Sequence, residues 1–557
     1  MITLKLPKKA GLTATKAAKI FQRVIKERCN LPIAISSQKT VETKVNRAAI
    51  VLEIDASIGK EGFKIEDGKK GEIKITGNDG LGLLYGTGKF LRESKYSGNT
   101  FTPAKWRGIS IPEKEVRIIY FATHFHNYYH DAPVKDFERY IEDLSLWGYN
   151  AVLVWFDMHH FNGINDPSAK KMINRLKLLL RAAKKIGLKA GIVVLGNEAY
   201  ANSPENLRLT PPTQFKLRGM FGVELCPNKP GAKELMLKWF IEEFNAFADI
   251  GIDYLSIWPY DQGGCSCEKC RPWGANGFLL MAKEISKLAR KILPNVKIML
   301  STWLFDALES EGEWEGLSDE LKNRPSWLDY IVADSHTDFP KYPLENEMPG
   351  NFPLLNFPEI SMWGAGPWGG FGANPAPERF QGLWNQVKHL VSGGFPYSEG
   401  IFEDINKAIY SQFYWKKNKK AIDSLKEYIA YEYSPSVVIP VVEAVKILEE
   451  SLPRKSEVKN GVVRFLINNP KNIDKAFSLI RKTDAKLPKY AKSGWRWRIL
   501  YLRAFIDYEL AHNDFKVSEK CNASLEELTT IFHVQKGAGC VAPPTRKTIK
   551  KYFLKTR

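Results

Sequence analysis

Between residues 113 and 415, short apolar runs alternate repeatedly with amphipathic helical stretches. The runs span 117–123, 151–156, 190–195, 254–258, 297–302, 330–333, 353–357 and 394–397. Strands that read as continuous apolar runs, rather than as an apolar–polar alternation, are buried on both faces. That is the condition of a parallel sheet covered by its crossover helices. One such repeat says little, but eight in about 290 residues argue for a sheet that closes on itself. The expected fold class is α/β, a (β/α)8 TIM barrel.

The residues just after each run carry the chemical information. The first run is followed by His124, Phe125, His126 and Asn127, and the second, which contains Trp155, by Asp157, Met158, His159 and His160. The third leads to Asn197 and Glu198. The fourth ends on Trp258 and leads to Tyr260, Asp261 and Gln262. Trp303 and Asp306 follow the fifth run, Asp334 and His336 the sixth, Glu359 the seventh, and Tyr397 and Glu399 close the eighth. In a TIM barrel the strand ends gather on one face, where chemistry takes place. Loops in general are polar, but that does not explain carboxylates and tryptophans recurring together at successive strand ends.

Carboxylates beside aromatics are what carbohydrate chemistry requires. Sugar rings stack their C–H faces on Trp and Tyr, while their hydroxyls bond to acids, amides and imidazoles. Glycosidic cleavage needs an acid for the leaving oxygen and a second carboxylate as base or nucleophile. Among Asp261, Asp334, Glu359 and Glu399, the reading assigns Asp261 as general acid and Glu359 as base or nucleophile, with Glu399 the substitute for either. The expected substrate contacts are His124, Asn127, Trp155, Asp157, His159, Asn197, Trp258, Tyr260, Gln262, Trp303, Asp306, Asp334 and Tyr397, joined by Trp363 and Trp368 from the long Trp/Gly-rich loop 361–374. Asp157, Asp306 and Asp404 also suit helix caps, and one of Glu399, Glu403 and Asp404 is expected to start the next helix.

Cys265, Cys267 and Cys270 form C-x-C-x-x-C just after Asp261, and Cys226 stands earlier in Leu-Cys-Pro-Asn. Four thiolates would make a closed tetrahedral zinc site of structural type. Disulfides and free thiols are the other outcomes. No cofactor is expected for catalysis.

The flanks differ from the barrel. Residues 1–105 read as a small α/β unit, with a helix at 14–28, strands at 48–54, 62–66 and 71–77, and a helix at 80–92. Residues 416–557 read as a helical domain, with helical spacing at 420–433, 435–451 and 495–512 and no strand alternation. The domain reading is therefore 1–105, 113–415 and 416–557. The 81 Lys+Arg against 62 Asp+Glu give a net charge of 81 − 62 = +19. The basic residues are scattered and no nucleic-acid-binding signature is present, so an acidic glycan is the better anionic partner. A hydrophobic fraction of 44 % excludes wholesale disorder, and no run approaches the roughly 18 apolar residues of a membrane span. The first residues have no apolar signal-peptide core. Location stays open between the cytoplasm and, for a chain trimmed of a leader, export.

Gly62-Phe63-Lys64-Ile65, then Gly71, Ile73, Ile75, Gly77, Asp79 and Gly80, then Gly82, Tyr85 and Gly86, resemble the N-terminal domain shared by family 20 β-hexosaminidases and family 67 α-glucuronidases. Tyr140 to Leu144, with Trp147, Gly148 and Asn150, resemble the first helix and second strand of their barrels. The resemblance covers roughly residues 45–415 as architecture with sparse motifs. It implies a catalytic TIM barrel behind a small α/β domain, and, from family 67, a helical C-terminal domain. Family 20 enzymes carry an Asp-Glu pair after strand 4. Here Asp261 matches the Asp, but Gln262 stands in the place of the acid and cannot donate a proton. The implied function is a glycoside hydrolase cleaving a terminal or near-terminal sugar, hexosaminidase- or glucuronidase-like. The alternative is a catalytically degenerate carbohydrate-binding protein on the same barrel, which Gln262 favours.

Overall fold

The computed structural model describes all residues except 1, 8–9, 38–48, 124–126, 212–220, 261–262, 308–310, 362–373 and 533–557. Its centre is a closed ring of eight parallel strands. Strands 1 to 4 of the ring are Val116–Phe121, Ala151–Trp155, Lys189–Leu195 and Tyr254–Trp258. Strands 5 to 7 are Lys297–Ser301, Tyr330–Ser335 and Leu354–Pro358. The eighth apolar run, expected at 394–397, is displaced and divided into Val391–Gly394 and Tyr397–Ser398, which both pair with strand 1. Closure depends on a glycine. Gly393, opposite Val116, has φ +145°, and a Cβ there would lie 1.9 Å from the Val116 carbonyl oxygen. No other residue fits that approach.

Side chains alternate along each strand. One set fills the barrel interior, including Leu153, Leu195, Met299, Val332 and Leu355, and the other packs under the surrounding helices. Crossover helices such as Val134–Trp147, Pro167–Lys185 and Gly277–Ile292 present apolar stripes to the ring and basic or acidic faces to water.

The N-terminal residues build a six-stranded sheet. Strands Ala49–Ile54, Phe63–Asp67 and Ile73–Gly77 lie close to their expected positions, as do helices Leu12–Cys29 and Gly80–Glu93. Two strands not expected from the sequence, Ile2–Leu6 and Ile33–Ser37, extend the sheet on one side, and Gly108–Ser110 closes the other. Helix Gly80–Glu93 is capped by Asp79, whose Oδ1 accepts the Gly82 N–H at 2.8 Å. The helix crosses Val134–Trp147 so closely that a Cβ on Gly88 would meet the Leu146 carbonyl oxygen at 2.2 Å.

After the ring, helix Asp404–Trp415 returns along the barrel, and helices Ala421–Glu432, Val438–Glu450, Ile473–Asp484, Trp495–His512 and Glu519–Phe532 come next. One expectation needs correction here. The C-terminal residues are not free of strands: Lys455–Lys459 and Val462–Leu466 form an antiparallel hairpin. Its turn is Asn460-Gly461, both at positive φ (52° and 72°), the pairing that two-residue hairpin turns favour. Among the described residues, no helix is long and apolar enough to cross a membrane.

The N-terminal sheet is held to the barrel through a buried ion pair. Arg117, 1 % exposed on strand 1, meets the Glu61 carboxylate. Its remaining N–H groups bond to the carbonyls of Gly148 at 2.8 Å and Lys114 at 2.9 Å. Asn150 donates to the same Glu61 at 3.2 Å, and Trp415 packs its ring against Phe63 and Tyr85. Truncating one partner of such a pair strands the other charge, at a cost of about 3–5 kcal/mol. Glu61→Ala is expected to lower unfolding free energy by about that amount in urea titrations, and the double variant with Arg117→Met to recover much of it. A loss below about 1 kcal/mol would be that of an exposed pair and would show that this contact does not hold the two parts together.

Candidate active site

Period-two alternation decides which residues rise from the barrel interior onto the mouth. The uppermost interior layer is aromatic. Tyr120 of strand 1, Trp258 of strand 4, Trp303 after strand 5, Phe357 of strand 7 and Tyr397 of strand 8 touch one another in a chain. Ring centroids are 4.7 Å apart for Trp258–Phe357, 6.0 Å for Trp258–Trp303, 5.7 Å for Phe357–Tyr397 and 5.8 Å for Tyr120–Tyr397. Trp258 and Trp303 remain half-buried, so part of each ring stays accessible.

Two residues beyond an inward position on strands 2, 6, 7 and 8 stand carboxyl groups. Asp334 follows Val332, Glu359 follows Phe357, Glu399 follows Tyr397 and Asp157 follows Trp155. Each meets a different environment. Asp334 keeps part of its side chain open at the mouth and is enclosed on its other sides. Burial pushes its carboxyl up to about 6, although the Leu304 backbone N–H works against the shift. Glu359 is 1 % exposed. Its Oε1 accepts the Ser361 N–H, and the Arg379 guanidinium lies 3.9 Å from Oε2. Arg379 is fixed by donating to the Glu359 and His336 carbonyls. Glu399 is fully buried and accepts the Tyr397 hydroxyl, while its backbone N–H donates to Glu403 Oε1 at 2.8 Å. Asp404 then opens the following helix.

On the other side of the mouth, burial raises the Asp157 carboxyl, and His160 at 3.0 Å opposes the shift. His159 stacks on Phe221 with centroids 3.6 Å apart, and burial pushes its imidazole down to about 3, so it is neutral. Glu198 is enclosed behind this pair. It accepts the Trp155 indole N–H at 3.1 Å, the Met158 N–H at 2.8 Å and the Leu195 N–H at 3.2 Å. Burial nevertheless lifts it to about 8, and the neighbouring Asp157 adds to the shift. Glu243, fully buried on helix Ala232–Phe247, is raised as well, by burial and by Glu198.

Several expected contact residues also bond within the scaffold. Tyr260 is buried and donates to Glu313 Oε1. Asp306 brackets the same Glu313, accepting its N–H at 2.8 Å and donating its own to Oε2 at 2.9 Å. Asn127 caps helix Tyr128–Asp131. Asn197 bonds backbone atoms of two loops, donating to the Leu225 and Gly264 carbonyls at 2.7 Å each and accepting the Gly264 N–H at 2.8 Å. Trp155 turns its indole to Glu198. Asp261, Gln262, His124, Trp363 and Trp368 lie outside the described residues. Tyr120, Phe357, Arg379 and the role of Glu198 were missed from sequence. The signal for the first two was slight: Arg117 and Asn356, polar residues in otherwise apolar runs, are out of step with Tyr120 and Phe357 and mark the outward phase.

No family model and no curated protein sequence matches the chain. Solved structures do. One is a family 115 4-O-methyl-α-glucuronidase with specificity for decorated arabinogalactans, at 12 % identity and TM-score 0.61, covering 96 % of this chain and 76 % of that one. Another is the family 89 glycoside hydrolase of Clostridium perfringens, at 13 % and 0.60, covering 90 % and 61 %. A third is the family 20 β-N-acetylhexosaminidase of Streptomyces coelicolor, at 12 % and 0.50, covering 77 % and 91 %.

The raised Glu198 makes a stability prediction. The folded state holds this proton up to pH about 8, whereas an unfolded glutamic acid releases it near 4.3. Between those values the folded state binds more protons, so stability falls as pH rises. Glu198→Gln is expected to flatten that fall in urea unfolding measured at pH 5, 6.5 and 8. Equal slopes in variant and wild type would remove Glu198 as its source. In fold, then, the chain carries the TIM barrel of the glycoside hydrolases it resembles.

Proposed function

We propose that the chain is a glycoside hydrolase that removes a terminal or near-terminal sugar from a complex glycan by carboxylate acid/base catalysis. The observation that carries this reading is the aromatic floor with Asp334, Glu359 and Glu399 at the ends of neighbouring strands beside it. A pyranose ring resting on Trp258 and Trp303 would present its anomeric carbon to that row. An acid must hold its proton near working pH, and the raised Asp334 suits this role better than any other described carboxyl open to the mouth. Glu359, held beside the Arg379 guanidinium, takes the role of base or nucleophile in this reading, with Glu399 as its substitute. Asp261, the acid of the sequence reading, is the rival to Asp334. The net charge of +19 supports an acidic glycan, and the likeness to a family 115 glucuronidase supports including uronic acids among the sugars tested.

The test is hydrolysis of aryl glycosides and native glycans, covering β-N-acetylhexosaminides, α-glucuronides and α- and β-linked neutral sugars. Glu359→Gln is expected to lower turnover at least about 10²-fold with the fold intact. Near-normal turnover would remove Glu359 from the mechanism.

A general acid at about 6 is protonated below that pH, so kcat/KM should fall up to tenfold per pH unit above it. Asp334→Asn should lower activity at least about 10²-fold and abolish that alkaline limb. If Asp261→Asn does so and Asp334→Asn does not, the acid is Asp261. Glycan binding without cleavage of any linkage would favour the degenerate binding protein.

A further inference from the structure

Cys226 lies between strand 3 and helix Ala232–Phe247, and Cys265, Cys267 and Cys270 between strand 4 and helix Gly277–Ile292. The fold brings them together. Their four sulfurs all lie within 4.8 Å of one another, with Cys226 Sγ 3.7 Å from Cys267 Sγ and 3.8 Å from Cys270 Sγ. A disulfide sets its sulfurs about 2.05 Å apart. Thiolates bound about 2.3 Å from a tetrahedral zinc ion stand about 3.8 Å from each other. The observed spacing is that of sulfurs sharing an ion.

The surroundings fit the same purpose. Asn228 Nδ2 donates to Cys270 Sγ at 3.1 Å and the Thr210 backbone N–H to Cys265 Sγ at 3.4 Å, donors of the kind that support metal thiolates. The Cys267 carbonyl accepts the N–H groups of Cys270 and Arg271 at 2.9 and 3.1 Å, a tight turn that aims both of its sulfurs inward. Cys226, Cys265 and Cys270 are buried, while Cys267 is half-buried and leaves a route for entry. Directly before Cys226 and Cys265 stand Leu225 and Gly264, the two residues that Asn197 clasps at the end of strand 3.

We propose that Cys226, Cys265, Cys267 and Cys270 bind a zinc ion that staples the loop after strand 3 to the loop after strand 4. Four sulfur donors leave no coordination position open, so the role is structural rather than catalytic. An all-thiolate set excludes magnesium and calcium. Iron shares the preference for tetrahedral sulfur, and the measurement separates the two. The stapled loop carries Asp261, four residues before Cys265.

The experiment is elemental analysis of the full chain purified without added metal or chelator. One zinc per chain is expected, released by a mercurial thiol reagent and captured by a chromogenic chelator. Exchange with cobalt(II) should give the visible bands of a tetrahedral tetrathiolate. Cys226→Ser and Cys270→Ser should each lower bound zinc at least about tenfold. If these variants fail to fold, the wild-type metal content and cobalt spectrum decide alone. A metal-free protein with four thiol-reactive cysteines would overturn the proposal. So would a disulfide among the four seen by mass spectrometry, bound iron in place of zinc, or zinc retained in folded Cys226→Ser. None of these readouts uses glycosidase activity, so this proposal and the functional one fail separately.

Discussion

The ring closes at Gly393, where strand 8 approaches strand 1 so tightly that no side chain can be accommodated. The rest of the architecture depends on that closure. A closed parallel sheet has no edge to cover, and its interior is packed solid with side chains from alternate positions. Nothing of molecular size can pass through, and the outer face is taken by helices. Chemistry is left with the ends of the strands. At the carboxyl end an apolar packing layer gives way to rings, and the rings to acids, over the rise of a few residues.

Within that last layer the protein sorts chemically similar groups by what it places beside them. Asp334 is pressed against low-dielectric walls and tends to keep its proton. Glu359, one strand away, is given a guanidinium. Glu198 and Glu243 sit together behind the mouth, and a second negative charge there would be more costly than the first. Carboxyl groups raised by burial and one set beside a guanidinium thus share one small space.

The barrel was legible because eight largely apolar runs recur at regular spacing between helical stretches, and because strand ends expose what the runs cannot. The same near-continuity hid Tyr120 and Phe357: Arg117 and Asn356 are the few polar marks of the outward phase, and neighbouring strands are needed to set the rest. Glu198 could be seen as polar, but not as a group enclosed against Glu243, since that contact joins a strand end to a later helix. The bonds of Tyr260 and Asp306 to Glu313 could not be read from position along the chain. Of the secondary structure, short pieces were lost: Ile2–Leu6 and Ile33–Ser37 at the edge of the N-terminal sheet, and the hairpin around Asn460-Gly461. The cysteine grouping could be read from spacing alone, because a C-x-C-x-x-C brings its own sulfurs together and needs the fold to supply only Cys226.

The clasp between Glu61 and Arg117 sits at the amino-terminal end of the barrel strands, among Lys114, Gly148 and Asn150. The acids and rings occupy the opposite end. The two ends of the molecule are therefore free to diverge at different rates. Residues under the barrel answer to the attachment of the N-terminal sheet and tolerate little change, whereas loops over the mouth can lengthen, shorten or exchange side chains without disturbing it. A chain built this way can have its mouth rebuilt by exchanging loops while the attachment of its N-terminal sheet stays as it is.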